Sequence, residues 1–190
     1  MRELKYAILG LINRIPMTGY DITKYFDGVL YRFWDAKHSQ IYPELKKLLD
    51  EDLLSYEVVI QGEKLEKKLY SITEKGKAEL DDWLVADDPL PPIEKDAFRL
   101  RVYFADNMSK EQLAAVFNRQ LIRRKLRLEL QKTRSAELKA MMEMDSPPEP
   151  RESVYNEYML GRGGIMRETA YIEWIRECAE KLSIELDDPD

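Results

Sequence analysis

Residues 38–72 read HSQIYPELKKLLDEDLLSYEVVIQGEKLEKKLYSI, and the spacing of their apolar residues changes part-way along. Up to Asp50 the apolar residues recur at helical spacing, which predicts a helix with Ser39 as its N-cap and Pro43 in its first turn. The stretches 54–60 and 65–72 are instead rich in Val, Ile, Leu and Tyr, and they flank a polar turn. The sequence therefore predicts a helix followed by a two-stranded β-hairpin.

Helical patterns also precede and follow this stretch. An apolar stripe predicts a first helix within residues 4–12, and Thr18 with Asp21 predicts the capped start of a second. Thr73 is a suitable cap for a fourth helix after the hairpin. Three helices, a hairpin and a further helix are the element order of a winged helix-turn-helix, whose third helix enters a DNA groove.

Two proline clusters, at 87–92 and 146–150, divide the chain, because proline ends helices. We expect a mainly α protein with a small β-hairpin, comprising a winged helix-turn-helix DNA-binding domain over 1–86 and an α-helical dimerisation and effector domain over 93–186. In the second domain Ser109 and Gln112 predict a capped long helix. Four apolar residues before it are expected in the core: Phe98, Leu100, Val102 and Phe104.

The last block, residues 151–186, carries apolar residues at near-helical spacing, interrupted by Gly161, Gly163 and Gly164. These glycines would either kink the helix or admit a partner helix closely. One neighbouring helix cannot cover so broad an apolar surface. A twofold partner is therefore expected, and with it a homodimer.

Composition excludes several classes of protein. The 190 residues include one cysteine, Cys178, and one histidine, His38, too few for an intrachain disulfide or for cysteine-rich or paired-histidine metal sites. We therefore expect a non-enzymatic protein without metal or cofactor. No apolar run is long enough to span a membrane, and no signal-peptide block opens the chain, so a cytoplasmic location without membrane association is expected.

The residues themselves resemble a known family. The segments Leu9–Leu11, Thr18–Ile22, Gln40–Leu45 and Leu69–Gly76 resemble, in order and spacing, the PadR family of bacterial transcriptional regulators. Further on, 98–106 and 164–175 are similar to the virulence-activator-like carboxyl-terminal domain of its larger members. The resemblance implies a homodimeric repressor or activator whose carboxyl-terminal helices pair and whose winged domains contact an operator. Leu53 departs from the family pattern, which usually has glycine in that turn.

Polar residues of the third helix and the hairpin are the candidate DNA contacts. Lysines neutralise phosphates, while Gln and Ser can reach base edges and Tyr can donate to a phosphate. The alternative is a solvated helix face and a charged hairpin tip that prevents edge pairing. His38 either contacts a phosphate or completes the turn before the helix. The candidates are Ser39, Gln40, Tyr42, Lys46, Lys47, Lys64, Lys67 and Lys68.

Aromatic and methionine side chains supply material for an effector site. The resemblance implies that such regulators respond to small aromatic or apolar molecules, and these side chains line adaptable apolar sites. The alternative is that they are core or dimer interface. The candidates are Trp34, Phe98, Tyr155, Met159, Met166 and Trp174.

Other features have plainer interpretations. Arg123, Arg124, Lys125 and Arg127 are expected to be solvated or ion-paired, and Cys178 to be a packing residue. A rival function is a winged-helix adaptor that binds protein and no DNA. The net charge of −6 and pI of about 5.1 favour the adaptor, whereas lysines on both the third helix and the hairpin favour the regulator.

Overall fold

A computed structural model describes residues 2–32, 34, 36–61, 65–146 and 150–187. The chain divides into two compact units, 1–91 and 92–190. The first contains helices α1 (Glu3–Arg14), α2 (Gly19–Gly28), α3 (His38–Asp50) and α4 (Glu74–Leu84), with strands β1 (Met17–Thr18), β2 (Leu54–Gln61) and β3 (Leu65–Ile72). The second contains helices α5 (Ala97–Tyr103), α6 (Lys110–Met142) and α7 (Arg151–Lys181). Short 3-10 turns occupy Leu30–Arg32 and Ala105–Asn107.

The predicted hairpin is confirmed, but it belongs to a sheet of three strands in the order β1-β3-β2. Both pairings are antiparallel, and Met17 opposes Tyr70. β1 is only two residues long, so it leaves no alternating pattern from which a strand can be predicted. The residues of the hairpin turn, 62–64, lie outside the described part of the chain, and Lys64 with them.

The cap of α3 differs from the prediction. The N-cap is Lys37, and Ser39 lies inside the helix as its second residue. The side-chain carbonyl of Gln40 accepts a hydrogen bond from the Lys37 amide at 3.0 Å, which satisfies the backbone donor of the N-cap residue. Pro43 is consequently the sixth helical residue and not part of the first turn.

The turn from α3 into β2 accommodates Leu53 without glycine. Asp52 adopts the left-handed conformation, with φ of 57°, and aspartate tolerates it better than most residues. Leu53 is buried, and its carbonyl accepts a hydrogen bond from the Thr73 amide at 3.1 Å. The departure from the family pattern therefore places an apolar side chain in the core.

The core of the first unit lies between its helices and the inner face of the sheet. It joins apolar residues of α1, α2 and α3 to Leu53, Leu54 and Leu80. Capping sets the helix starts as predicted: Thr18 and Asp21 form a capping box on α2, and the Thr73 hydroxyl accepts from the Gly76 amide. These caps fix where α2 and α4 leave the sheet.

The second unit is built on two long helices, α6 and α7, which pack against each other. Its core includes Phe98, Phe117, Leu121 and Ile175. The capping box of Ser109 and Gln112 is confirmed. Arg124 of α6 pairs with Glu168 of α7, whereas Arg134, further along α6, pairs with Glu157, which is earlier in α7. The two helices are therefore antiparallel.

One expectation about the core of the second unit is wrong. Leu100 and Phe104 are 59% and 50% exposed, because the short helix α5 turns its Phe98 side into the core and Phe104 follows the end of that helix. The three glycines do not interrupt α7, which is continuous from Arg151 to Lys181. Gly164 instead lies against the side chain of Gln131 on α6, close enough that a β-carbon would lie 3.1 Å from it.

Candidate nucleic-acid interface

Helix α3 is held by its apolar side, which leaves the opposite side open. Ile41, Leu45 and Leu48 are buried, each with 1% exposure or less. At the start of the helix, Nε2 of His38 lies 3.0 Å from Oδ2 of Asp27 at the end of α2. His38 is thus the first residue of α3 and contacts the preceding helix, so it neither precedes α3 nor serves only to complete a turn.

The open side of α3 displays the predicted polar residues. Ser39, Gln40, Lys46 and Lys47 are all exposed. Tyr42 is 52% exposed and lies on the backbone of Gly19, where a β-carbon would come within 2.7 Å of the Tyr42 ring. Glycine at position 19 therefore lets the Tyr42 ring pack against the start of α2.

The β2–β3 hairpin places two lysines over tyrosine rings. The Lys68 ammonium lies 4.1 Å from the centroid of the Tyr56 ring, and that of Lys67 lies 5.7 Å from the Tyr20 ring. Such cation–π contacts orient a lysine ammonium group over the face of the ring. Among the predicted wing residues, Lys67 and Lys68 are described.

A groove of about 400 Å³ joins the start of α2, α3 and the hairpin. Burial raises the pKa of Tyr70, so its hydroxyl remains a hydrogen-bond donor at neutral pH. Lysine ammonium groups and tyrosine hydroxyls can bind phosphate oxygens, and Glu66 partly offsets the positive charge. The groove is lined by Thr18, Gly19, Tyr20, Tyr42, Glu66, Lys67, Lys68 and Tyr70.

Tyr20 is, with Tyr70, one of the groove residues that sequence reasoning did not name. It is 63% exposed, although tyrosine is usually at least partly buried. The available signal was its position directly after the Thr18–Gly19 start of α2, where the side chain falls off the apolar stripe of Ile22 and Phe26. Its partner Lys67, 47 residues further along the chain, could not be identified without the fold.

The predicted effector residues do not form one pocket in the second unit. Phe98 is buried, and its ring centroid lies 5.8 Å from that of Trp174. Tyr155, Met159 and Met166 are half-exposed or more along α7. Tyr155 and Trp174 are separated by about 28 Å of helix, at 1.5 Å per residue. Trp34 belongs to the first unit. An effector role for these side chains stays a prediction.

A buried ion-pair network occupies the second unit instead. Glu168 is fully buried, and both its oxygens accept hydrogen bonds from Arg124, at 3.1 and 3.0 Å. Arg127 lies 3.5 Å from the same carboxylate. The ion-paired interpretation of Arg124 and Arg127 is therefore confirmed.

The network continues through Tyr171. The Arg124 guanidinium lies 3.7 Å from the centroid of the Tyr171 ring, and the Tyr171 hydroxyl donates to Asp96 at 2.5 Å. Burial, with the hydrogen bond to Asp96, raises the pKa of Tyr171 to about 12. Burial also tends to raise the pKa of Asp96, but hydrogen bonds from Tyr171 and from two backbone amides outweigh it and lower that pKa.

The remaining candidates fit the plainer interpretations. Cys178 is half-buried against the core of the second unit, and burial raises the pKa of its thiol, which disfavours the reactive thiolate. The described residues contain no cluster of His, Cys, Asp or Glu suited to a metal ion. None of the helices described here is long and apolar enough to cross a membrane.

Comparison with known proteins decides the family. Residues 8–82 match the model of the transcriptional regulator PadR-like family, and residues 94–183 match the virulence activator alpha C-terminal domain. The negative transcriptional regulator PadR of Bacillus subtilis is 43% identical over 175 residues, covering 92% of this chain and 94% of that protein. The chain belongs to the PadR-like family. The predicted winged helix-turn-helix fold and DNA-binding regulatory class are thereby confirmed, and the protein is a transcriptional regulator rather than an enzyme.

Two solved structures of the PadR protein from Bacillus subtilis are similar throughout. The complex with operator DNA has a TM-score of 0.84 at 43% identity and covers 93% of this chain and 97% of that one. The complex with p-coumaric acid has a TM-score of 0.80 at 39% identity and covers 94% and 95%. The fold of this chain is thus similar to that of the Bacillus subtilis protein over nearly the whole length of both chains.

Proposed function

We propose that this PadR-like protein is a repressor that acts in the cytoplasm as a homodimer on a pseudo-palindromic operator. Each protomer would place α3 in a major groove and its hairpin along the neighbouring backbone. Two such modules related by a twofold axis read half-sites about one helical turn apart. The chain divides at the proline-rich segment near residue 90. Each protomer would therefore have one unit that binds DNA, the reading unit, over residues 1–91 and one that pairs with the second copy over residues 92–190.

The observation that carries the proposal is the exposed polar side of α3, which adjoins the lysine-bearing hairpin across one groove. Lys46 and Lys47 would neutralise phosphates, as would Lys67, Lys68 and Lys64 on the hairpin. Ser39 and Gln40 would read base edges, and Tyr42 would donate its hydroxyl to a phosphate. This combination favours the regulator over an adaptor that binds no DNA.

Pairing through the second unit is supported by its exposed apolar residues. Ile122, Leu126 and Leu130 of α6 are 59%, 62% and 65% exposed and recur every four residues, so they form one stripe. Tyr155, Met159 and Met166 of α7 are exposed as well. Covering these surfaces with a second copy removes them from water, which stabilises the dimer.

Release by a small aromatic effector completes the proposal. The Bacillus subtilis relative has been solved with p-coumaric acid as well as with operator DNA. An effector can weaken DNA binding only by binding the DNA-incompetent form of the dimer more tightly. We therefore infer that aromatic acids shift this protein toward a form with poor operator affinity.

Footprinting and fluorescence anisotropy on DNA flanking the protein's own gene test the proposal. The full chain should protect two half-sites about 10 bp apart and lose affinity steeply with salt. Adding p-coumaric acid should weaken this binding. Equal affinity for a scrambled duplex, with no protected site, would refute operator recognition, and unchanged affinity with the acid present would refute the effector response.

A further inference from the structure

Two carboxylates lie on the side of α3 that carries Lys47. Glu44, Lys47 and Glu51 are spaced by three and then four residues, so their side chains are neighbours along the helix surface. Gln40, four residues before Glu44, begins the same row. On the helix proposed to enter the major groove, two acidic groups therefore adjoin two of the candidate DNA contacts.

Without a partner, these carboxylates would oppose DNA binding in two ways. They would repel nearby phosphates, because like charges at short range are unfavourable. They would also compete for Lys47, since the spacings from Glu44 to Lys47 and from Lys47 to Glu51 are those of ion pairs within a helix. A lysine held by its own helix must break these contacts before it neutralises a phosphate. A different cation is therefore needed at the two carboxylates.

Arg2, the residue before α1, supplies this cation. Its Nε and Nη2 atoms donate to Oε1 of Glu44, at 2.9 and 2.5 Å. Its Nη1 atom donates to Oε1 of Glu51 at 2.5 Å. A guanidinium has five donors in a planar fork, so one arginine can bind two carboxylates at once. Arg2 thus bridges both acidic residues of the row.

Burial and charge hold the Arg2 guanidinium on α3. The Glu44 side chain is 7% exposed, and a buried carboxylate without a partner is costly. Glu51 is more exposed, and the hydrogen bond from Arg2 lowers the pKa of its carboxyl although burial opposes this. Glu51 therefore remains negatively charged at neutral pH and continues to attract the guanidinium.

We propose that Arg2 is a positioning residue for DNA binding, which occupies the carboxylates of Glu44 and Glu51 so that the Lys47 ammonium remains available to a phosphate. Arg2 acts through these side chains and not by touching DNA. The inference rests on one element of the proposed function, the phosphate contact of Lys47. Loss of Arg2 leaves two negative charges beside Lys47, and the helix then pairs this lysine with its own carboxylates.

The salt dependence of DNA binding separates this role from a merely structural one. In anisotropy titrations of the full chain, Arg2→Ala should lower the slope of log affinity against log salt by about one. Affinity should fall about five- to tenfold near 0.1 M salt, because one phosphate contact is lost. Adding Glu44→Gln and Glu51→Gln to Arg2→Ala removes the charges that capture Lys47 and should restore the wild-type slope.

Nuclear magnetic resonance of the lysine side chains tests the same step without DNA. Exchange of the Lys47 ammonium hydrogens with water should slow in Arg2→Ala, where carboxylates hold the ammonium, and return to the wild-type rate in the triple variant. The matched control is Lys5→Ala, which breaks an ion pair with Glu79 of α4 in the same unit. It should change neither the exchange rate of Lys47 nor the salt slope.

A wild-type slope and a wild-type exchange rate in folded Arg2→Ala would overturn the proposal. So would a reduced slope that the two glutamines fail to restore, because Arg2 would then have an ordinary structural role. Should Arg2→Ala fail to fold, Arg2→Lys replaces it, since one ammonium cannot bridge both carboxylates; it should show smaller changes with the same rescue. Lys47→Ala with an unaltered slope would refute the phosphate contact in the proposed function, and the exchange rates would still judge Arg2.

Discussion

Gly76 and Gly10 both lie inside helices, yet their surroundings are opposite. A β-carbon at Gly76 would lie 2.1 Å from the carbonyl oxygen of Leu53, a backbone atom of the tight α3–β2 turn, whereas one at Gly10 would meet nothing. Position 76, three residues after the Thr73 cap, therefore needs glycine for close packing.

Alanine at these two positions should shift stability in opposite directions. Gly76→Ala should destabilise by about 1–3 kcal/mol through overpacking against the Leu53 backbone. Gly10→Ala should stabilise by about 1 kcal/mol through helix propensity. Urea denaturation of both variants at one protein concentration measures the difference. Equal shifts of the same sign would contradict the geometry.

Glu168 is a charged residue that the fold of the second unit requires. It is fully buried between Arg124 and Arg127. Glu168→Ala should cost about 3 kcal/mol, because it leaves the partly buried Arg124 guanidinium without its main partner. The control Glu129→Ala removes an exposed pair with Lys132 and should cost about 0.5 kcal/mol or less. Similar losses in urea denaturation would show that the Glu168 pair contributes no more than a surface pair.

At the scale of elements, α3 and the hairpin are held in one arrangement because β1 and the start of α2 lie between them. Tyr42 packs on Gly19, and Lys67 lies over Tyr20, so the short β1–α2 junction sets the distance between helix and hairpin. The lysines of α3 project from the open side of this arrangement, where a duplex would lie.

Removing the α3 lysines should weaken DNA binding without changing its preference. Lys46→Ala with Lys47→Ala should reduce affinity for every duplex and lower the slope of log affinity against log salt by about two, one for each lost phosphate contact. Lys132→Ala with Lys139→Ala, the same charge change on α6, should leave the slope unchanged. Anisotropy titrations from about 50 to 200 mM salt measure the slopes of both variants. An unaltered slope in the folded α3 variant would remove these lysines from the interface.

At the scale of the whole molecule, the two units are joined by an exposed proline-containing segment between Leu84 and Ala97. Leu90 and Ile93 within it are 93% and 88% exposed. The long helices α6 and α7 also carry exposed apolar residues, among them Leu126 and Met166. A dimer formed through α6 and α7 would contain two reading units related by a twofold axis.

A charge in the α6 stripe should dissociate that dimer. Leu126→Asp places a carboxylate where a second copy would bury it without a partner, so sedimentation should show monomer at concentrations where the wild-type chain is dimeric. Leu90→Asp makes the same change in the joining segment and should have no effect. A fully dimeric Leu126→Asp variant would place the interface elsewhere.

Local signals determined most of the element order. The capping boxes at Thr18 and Ser109, the cap at Thr73 and the change of apolar spacing after Asp50 each act within a few residues, so they are readable in sequence. The polar residues of α3 were predicted for the same reason, since helical geometry alone separates them from Ile41, Leu45 and Leu48.

Only the tertiary structure decided features that depend on residues distant in sequence. β1 exists because β3, some 50 residues later, supplies its hydrogen bonds, and the exposure of Leu100 and Phe104 follows from how few residues of α5 face the core. The partners of Glu168 lie 44 and 41 residues away on α6, so its burial could not be anticipated from its neighbours. The open space at Gly10 is likewise bounded by Trp83 of α4, because a cavity is a property of surfaces brought together and no local pattern encodes it.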